Sequence, residues 1–186
     1  AQRDWNLATY VSACKEAIEI ACDISASDDA NVAGMCAGGI TLACLLGHLA
    51  VTDESLVNSA TFMVAGLDTA GESTVGLLTS KASIEAARSR SQRRGVLDGR
   101  DLGSMFAWLR PNDLVWLFVA NNWVMGNRPP AFDILAWNAD STRMPAAMHA
   151  FYLRNFYVEN KLATGELEIA GRTIDLEAIK SPTYIV

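Results

Sequence analysis

Residues 30–50 read ANVAGMCAGGITLACLLGHLA, and this stretch decides the fold class. It opens with a short apolar run at 30–34, passes through a glycine-containing turn and continues as a longer apolar segment at 40–50. The short run is typical of a buried strand, and the longer segment is typical of a buried helix. A second apolar run at 57–67 completes the order strand, helix, strand. Because such a connection joins parallel strands, the sequence predicts a parallel βαβ unit and an α/β protein.

The turn between the predicted strand and helix reads Gly34-Met35-Cys36-Ala37-Gly38-Gly39, which is the nucleophile-elbow pattern with cysteine in place of the usual serine. Small residues at 34 and 38 are expected to let the strand turn sharply into the helix. We expect a strained backbone at Cys36 and a sulfur atom at the edge of the sheet. A helix N-terminus next to that sulfur favours the thiolate. The N–H of Ala37 is then placed to stabilise a developing oxyanion.

An inert core cysteine is the alternative for Cys36, since most lone buried cysteines only pack. Cys14, Cys22 and Cys44 fit that alternative, because each lies on a predicted helix face. Cys36 does not, because the flanking glycines give a core thiol little to pack against. A thiolate that attacks a thioester forms another thioester of similar energy, so the acyl group can be held on the enzyme and passed to an alcohol. The elbow therefore favours thioester chemistry.

The composition and the residue spacing argue against several other classes of site. The four cysteines form no CxxC pair and the chain has only two histidines, so we expect no metal site. Neither a GxGxxG motif nor a P-loop is present, and we expect no nucleotide cofactor. The net charge of −6, from 15 basic and 21 acidic residues, argues against a nucleic-acid partner.

The uncharged stretch 31–52 is long enough to span a bilayer. Its four glycines weaken that interpretation, and a buried strand followed by a buried helix explains the same run. We therefore expect no transmembrane segment. The opening residues do not resemble a signal peptide, and a cytoplasmic location is expected.

The rest of the chain is expected to form a helix at 6–22, a mostly helical stretch at 69–171, a small hairpin within 167–176 and a buried strand at 182–186. The first helix follows from apolar residues at three- and four-residue steps, namely Leu7, Val11, Cys14, Ile18 and Cys22. The last strand stops without a polar tail. We therefore expect the chain to be an internal piece of a longer protein.

Beyond the elbow, three long and unusual blocks make a resemblance specific. Together with Gly39-Ile40-Thr41-Leu42 after the elbow, they are similar to the polyhydroxyalkanoate synthases, which polymerise 3-hydroxyacyl-CoA. The match runs over nearly the whole chain in the family's order. The blocks are FAWLRPNDLVW at 106–116, FDILAWN at 132–138 and DSTRMPAAMH at 140–149.

The resemblance implies an α/β-hydrolase core, incomplete at both ends, with a mostly helical cap inserted between two strands. On this basis residues 1–68 are part of the core, residues 69–171 are the cap, and residues 172–186 return to the core. Cys36 matches the family's acylated nucleophile, and Trp137 matches a tryptophan that the family keeps near the active site.

The reaction implied by the resemblance is polymerisation of 3-hydroxyacyl-CoA through a covalent cysteine thioester. CoA is released, so it is part of the substrate and not a cofactor. The family further implies a homodimer formed through the cap and a place at the surface of polymer granules. Its catalytic Asp and His both follow the strand that here ends at Val186. We therefore expect the chain alone to be inactive as a polymerase.

Two other functions stay open at this point. A cysteine hydrolase similar to the dienelactone hydrolases shares the Gly-x-Cys-x-Gly-Gly elbow, although that family lacks so long a cap. A non-catalytic granule-associated homologue is the other alternative. The acyl chain length of the substrate also stays open.

Several polar residues have structural explanations that we prefer to functional ones. Asp68 is expected to be a polar strand end or cap hinge, and His48 and His149 are expected to be structural histidines. A basic cluster within 88–100 is expected to be a solvated helix face rather than an attractor for CoA phosphates. Its members are Arg88, Arg90, Arg93, Arg94 and Arg100.

Overall fold

The computed structural model of the protein describes residues 2–71, 80–129, 131, 133–140 and 142–186. The chain divides into two compact units. We call residues 4–72 and 150–186 the sheet unit, and residues 1–3 and 73–149 the helical unit.

The sheet unit is built on a parallel βαβ arrangement. Strand β1 (Ala30–Met35) leads into helix α2 (Ala37–Thr52), and strand β2 (Val57–Met63) returns beside β1 in the same direction. A further strand, β7 (Thr183–Ile185), pairs in parallel with the other side of β2, so the sheet order is β1-β2-β7. The α/β class and the parallel βαβ unit predicted from the sequence are therefore confirmed.

Helix α1 (Leu7–Ser25) precedes the sheet and begins at a capping box. The side chains of Asn6 and Thr9 each accept a hydrogen bond from the other residue's backbone N–H at 3.3 Å. Helix α2 is more deeply buried, with nine of its residues inside the core, which explains its almost continuously apolar sequence.

Strand β2 is shorter than the run at 57–67 predicted. It ends at Met63, and Val64 then adopts a φ of 46°, which takes the chain out of the extended conformation. The apolar residues that follow are irregular in structure. Apolar composition alone therefore overestimated the length of this strand.

The strand predicted near the end of the chain is present as β7, but the expectation that it is buried is wrong. All three of its residues are exposed, and Ile185 retains 69% of its accessible surface. Within the described residues β7 pairs only with β2, so much of its surface stays open to solvent.

The predicted hairpin is confirmed as strands β5 (Glu168–Ile169) and β6 (Arg172–Thr173), which pair antiparallel. Ile174 follows β6 and is almost fully buried. Its side chain packs on α2 at Gly47, where the absence of a Cβ gives it room.

The helical unit is dominated by helices, as predicted. It contains α3 (Lys81–Arg94), α4 (Gly99–Leu109), two π-helical segments (Asn112–Trp116 and Val119–Val124) and α5 (Asp133–Ala139). A short antiparallel pair joins β3 (Val96–Leu97) to β4 (Met144–Pro145).

Helix α6 (Ala146–Tyr152) follows β4, and a third π-helical segment (Leu153–Val158) follows α6. Residues 150–171, which the sequence places in the cap, pack in the sheet unit. Among the helices of the described residues, none has the length and apolar character needed to cross a membrane.

Candidate active site

Cys36 lies at the junction between β1 and α2, in a backbone conformation that L-residues rarely adopt. Its φ is 51° and its ψ is −120°, so the chain passes from strand to helix at a single residue. The backbone N–H of Cys36 donates to the carbonyl oxygen of Met63 at 2.9 Å, which fixes the turn against the end of β2. Strained residues cluster at functional sites, where the surrounding structure holds them in place. The strain that the motif predicts is therefore present.

Two glycines permit the turn because other atoms approach them closely. A Cβ atom on Gly34 would lie 2.8 Å from the carbonyl oxygen of Gly38 and from the Cα of Gly39. A Cβ atom on Gly39 would overlap the Cβ of Ala65, in the segment after β2. At Gly38, by contrast, a Cβ atom would meet nothing within 4 Å. The steric requirement expected at 34 and 38 thus falls on 34 and 39, because the first turn of α2 brings residue 39 against the strands.

The side chain of Cys36 is exposed at the carboxyl edge of the sheet, where a substrate can reach it. Ala37 is the first residue of α2, so its N–H precedes the hydrogen-bond ladder of the helix and is available to an incoming oxygen. The N-terminus of this helix also places a partial positive charge beside the sulfur. These features are what nucleophilic attack by a thiolate requires.

The other three cysteines differ from Cys36 in their surroundings. Cys22 and Cys44 are buried, and burial raises the pKa of the Cys44 thiol to about 12, which keeps it protonated and unreactive. Cys14 is exposed on α1, so the expectation of a core position is wrong for this residue.

A second strained residue lies at the end of the neighbouring strand. Val64 has a φ of 46°, which is an outlier for a β-branched residue. Its N–H donates to the carbonyl oxygen of Val186 at 2.8 Å, and its side chain is 73% exposed. Because Met35 and Met63 are paired in register, Cys36 and Val64 leave the sheet side by side. This edge therefore holds two adjacent residues in strained conformations.

Three aromatic residues within 152–157 form a cluster, and negative charge at Cys36 acts on the pKa of its two tyrosines. The ring centroid of Tyr152 is 4.9 Å from that of Phe156 and 5.8 Å from that of Tyr157. Burial raises the pKa of the Tyr157 phenol, and the negative charge of a Cys36 thiolate raises it further. Burial also raises the pKa of Tyr152, with smaller contributions from Tyr157 and then Cys36. Both phenols therefore stay protonated at neutral pH.

Sequence reasoning did not single out Tyr152 or Tyr157. Their apolar neighbour Phe156 follows Tyr152 by one helical turn, so the spacing does indicate a shared aromatic face. Nothing local in the sequence shows that this face lies near a residue more than a hundred positions earlier.

Asp68 makes local structural hydrogen bonds, but β2 ends at Met63, so the expectation that Asp68 is a polar strand end is wrong. Its carboxylate accepts hydrogen bonds from the backbone N–H of Ala70 at 2.9 Å and from Nδ2 of Asn160 at 2.8 Å. These two hydrogen bonds hold the pKa of Asp68 below its usual value. The carboxylate therefore joins the segment after β2 to the segment around residue 160.

Of the two histidines, His149 has a buried hydrogen-bond partner, whereas Nδ1 of His48 is buried without one among the described residues, so a satisfied structural histidine is found only at His149. His48 lies on α2 about 18 Å along the helix axis from Cys36, too far for direct proton transfer. In the helical unit, Nδ1 of His149 lies 2.9 Å from the hydroxyl of Ser91, which is itself 3.0 Å from the carbonyl oxygen of Arg88. Burial lowers the pKa of His149, with an opposing effect from Asp101.

Three of the five arginines of the basic cluster, all on α3, make local ion pairs. Arg88 contacts Glu85 at 2.7 Å, while Arg90 and Arg94 both contact Asp101, at 3.6 Å and 3.0 Å. These ion pairs favour the interpretation of the cluster as a solvated helix face over that of an attractor for CoA phosphates. Trp137 lies on α5 of the helical unit, with its side chain exposed.

Comparison with curated proteins shows which proteins the chain resembles. The chain is 45% identical over 185 residues to poly(3-hydroxyalkanoate) polymerase 2 of Ectopseudomonas oleovorans and 44% identical over 184 residues to polymerase 1 of that organism, with 99% of the chain covered in both. It is homologous to the poly(3-hydroxyalkanoate) polymerases. A third polymerase, from Methylorubrum extorquens, is 39% identical over 186 residues, which is 98% of the chain. The resemblance to polyhydroxyalkanoate synthases drawn from the sequence is thus confirmed.

The chain spans about a third of the length of these poly(3-hydroxyalkanoate) polymerases, 33% of the two from Ectopseudomonas oleovorans and 30% of the one from Methylorubrum extorquens. No protein-family model matches it.

Proposed function

We propose that this chain forms the nucleophile-bearing part of an acyltransferase that polymerises 3-hydroxyacyl-CoA into a polyester. The observation that carries the proposal is the strained and exposed Cys36 at the N-terminus of α2. The homology of the chain to poly(3-hydroxyalkanoate) polymerases supports the same assignment. A thiolate suits this chemistry because exchange between two thioesters is nearly balanced in free energy.

In the first step the Cys36 thiolate attacks the carbonyl carbon of the acyl-CoA thioester. A carbon–sulfur bond forms, and the oxyanion of the tetrahedral intermediate accepts a hydrogen bond from the N–H of Ala37. The bond to the CoA sulfur then breaks, and CoA leaves as a thiol with the proton that Cys36 had lost.

In the second step the acyl group moves to an alcohol. The hydroxyl of another 3-hydroxyacyl group, or of the growing polyester, attacks the Cys36 thioester and forms an ester bond. The carbon–sulfur bond to Cys36 breaks, and the sulfur recovers a proton from the base that deprotonated the hydroxyl. Each cycle therefore lengthens the polyester by one unit and releases one CoA.

We propose that the base is a histidine oriented by an aspartate, with both residues outside 1–186. His48 is about 18 Å from Cys36 along α2, and Nδ1 of His149 is occupied by Ser91. On this proposal, residues 1–186 alone form no polymer.

The proposal extends to the architecture and the assembly. The parallel sheet is taken as part of an α/β-hydrolase core and the helical unit as part of its cap, with Trp137 contributing to the active site. We propose a homodimer formed through the cap, located in the cytoplasm at the granule surface. Support comes from exposed apolar side chains of the helical unit, a surface suited to an interface. They include Trp108, Trp116, Trp123, Val124 and Met125.

Incubation of the complete protein with 3-hydroxybutyryl-CoA tests this function. We expect stoichiometric release of CoA together with insoluble polyester, and loss of both products in Cys36→Ala. The matched control is Cys14→Ala, which removes the other exposed cysteine and should retain activity. Release of free 3-hydroxybutyrate without polyester would instead identify a hydrolase.

A further inference from the structure

The segment that carries Tyr152 and Tyr157 is tied to the end of β2 through one asparagine. Nδ2 of Asn160 donates to the carboxylate of Asp68 at 2.8 Å. Oδ1 of Asn160 accepts from the backbone N–H of Thr69 at 3.1 Å and lies 3.1 Å from the Thr69 hydroxyl. Both ends of the carboxamide are therefore bonded to consecutive residues of the segment after β2.

Two further features strengthen this connection. The Thr69 hydroxyl also donates to the carbonyl oxygen of Phe156, inside the third π-helical segment. Asn160 itself has a φ of 49°, a left-handed conformation that asparagine tolerates better than most residues. Position 160 thus requires both a carboxamide side chain and a left-handed backbone conformation, which few other residues adopt.

The segment after β2 also contacts the elbow. Ala65 lies against Gly39, and Val64 leaves the sheet beside Cys36. A continuous path of close contacts therefore runs from the elbow through residues 64–69 to Asn160.

We propose that Asn160 is a positioning residue for the acyl site. By bridging Asp68 and Thr69 it holds residues 152–160 against the carboxyl edge of the sheet, so that the rings of Tyr152 and Tyr157 form one wall of the space in which Cys36 carries its acyl group. The identity of that group rests on the proposed function, whereas the position of the wall does not.

The chemistry of this wall suits an acyl thioester. Two aromatic faces supply apolar surface against which the carbon chain of a 3-hydroxyacyl group can pack. Protonated phenols add hydrogen-bond donors for ester or hydroxyl oxygens without placing a second negative charge beside the thiolate. A carboxylate at the same place would repel the nucleophile.

A double-mutant cycle on the two hydrogen-bonding side chains tests the positioning role. Asn160→Asp removes the Nδ2 donor and places a second carboxylate beside Asp68, which breaks the bridge. Asp68→Ala breaks the same bridge from the other side. In the double variant the carboxylate that would repel Asp at 160 is absent, and Asp at 160 still accepts from Thr69, so the second substitution should add nothing. Such non-additivity would not arise from a general loss of packing.

The readout is the accessibility of Cys36 in the complete protein, measured by mass spectrometry of the Cys36 peptide. N-ethylmaleimide and N-(1-pyrenyl)maleimide react by the same chemistry but differ in size. For Asn160→Asp we expect the labelling rate of the large reagent, relative to the small one, to rise about five-fold, and the double variant to show the same ratio as Asp68→Ala alone. Asn155→Ala is the matched control, because among the described residues its Nδ2 donates only to Phe151, within its own segment.

Thr69→Val provides a second test of the positioning role if Asn160→Asp does not fold. It removes the hydrogen bonds of the Thr69 hydroxyl while keeping the shape of the side chain. A smaller rise in the same ratio is expected. The proposal is overturned if a folded Asn160→Asp or Thr69→Val variant labels like Asn155→Ala, or if the effects of Asp68→Ala and Asn160→Asp simply add in the double variant. Because labelling requires no acyl-CoA, a failure of the proposed function would leave these results unchanged.

Discussion

The backbone N–H of Cys36 donates a 2.9 Å hydrogen bond to the carbonyl oxygen of Met63, the last residue of the adjacent parallel strand. This bond ties the candidate nucleophile to the sheet, and α2 begins at the next residue. The sulfur is therefore held by two regular elements rather than by a flexible loop. Sites built on such elements keep their geometry better than sites on loops, which is what a nucleophile that must meet a fixed oxyanion donor requires.

Replacement of Gly34 by alanine is expected to disrupt this geometry. The new Cβ would lie 2.8 Å from backbone atoms of the first turn of α2, so the elbow must shift. We expect the free energy of unfolding to fall by about 1–3 kcal/mol, as for other overpacked sites, together with a loss of Cys36 labelling by N-ethylmaleimide. Gly38→Ala is the control, because the space beside Gly38 is open and alanine favours a helix by up to about 1 kcal/mol. Equal destabilisation by both variants would contradict the account.

The packing of Ile174 on α2 gives a prediction about the core. Its side chain is almost fully buried against Gly47, and Ile174→Ala should lower the free energy of unfolding by about 2–5 kcal/mol. Ile24→Ala on α1 makes the same truncation at a side chain that is 82% exposed, and we expect a change within about 0.5 kcal/mol. Denaturant titration of both variants measures the difference. Similar losses would mean that Ile174 is not part of the core.

His149 predicts a pH dependence of stability. Burial lowers the pKa of His149 in the folded state, so the unfolded chain binds more protons as the pH falls through the ordinary histidine range near 6.5. The contribution of the neutral, buried ring is therefore present above that range. It is lost progressively as the pH drops toward the folded pKa, by at most about 1.4 kcal/mol per pH unit.

His149→Asn isolates this contribution. The amide nitrogen can take the place of Nδ1 beside Ser91, but the side chain does not titrate. Thermal unfolding of both proteins between pH 7 and pH 5 should show a smaller decline in Tm for the variant. If both proteins lose Tm in parallel, His149 is not the titrating group.

The elements that sequence reasoning placed correctly are those whose signals are local. Helix α1 follows from apolar periodicity, and β1 and α2 follow from the glycine-containing turn between two apolar runs. Even there the motif mislocated one contact, because Gly39 and not Gly38 meets the segment after β2. Which helical residue touches a strand depends on the rotation of α2, which the Gly-x-Cys-x-Gly spacing does not specify.

The features that sequence reasoning missed depend on distant contacts. Tyr157 lies more than a hundred positions after Cys36, and Asn160 meets Asp68 across a similar separation. The strain at Val64 and the exposure of Ile185 likewise depend on how β2 and β7 pair. Composition and periodicity describe a segment by itself, so they carry no information about such pairings.

Mass spectrometry of the Cys36 peptide tests the central claim most directly. The complete protein is mixed with 3-hydroxybutyryl-CoA, quenched in acid within the first turnovers, and digested. The account predicts a 3-hydroxybutyryl adduct on Cys36 that hydroxylamine removes, and no such adduct on Cys14. An unmodified Cys36 in a preparation that is forming polyester, or an acyl group on a different residue, would contradict it.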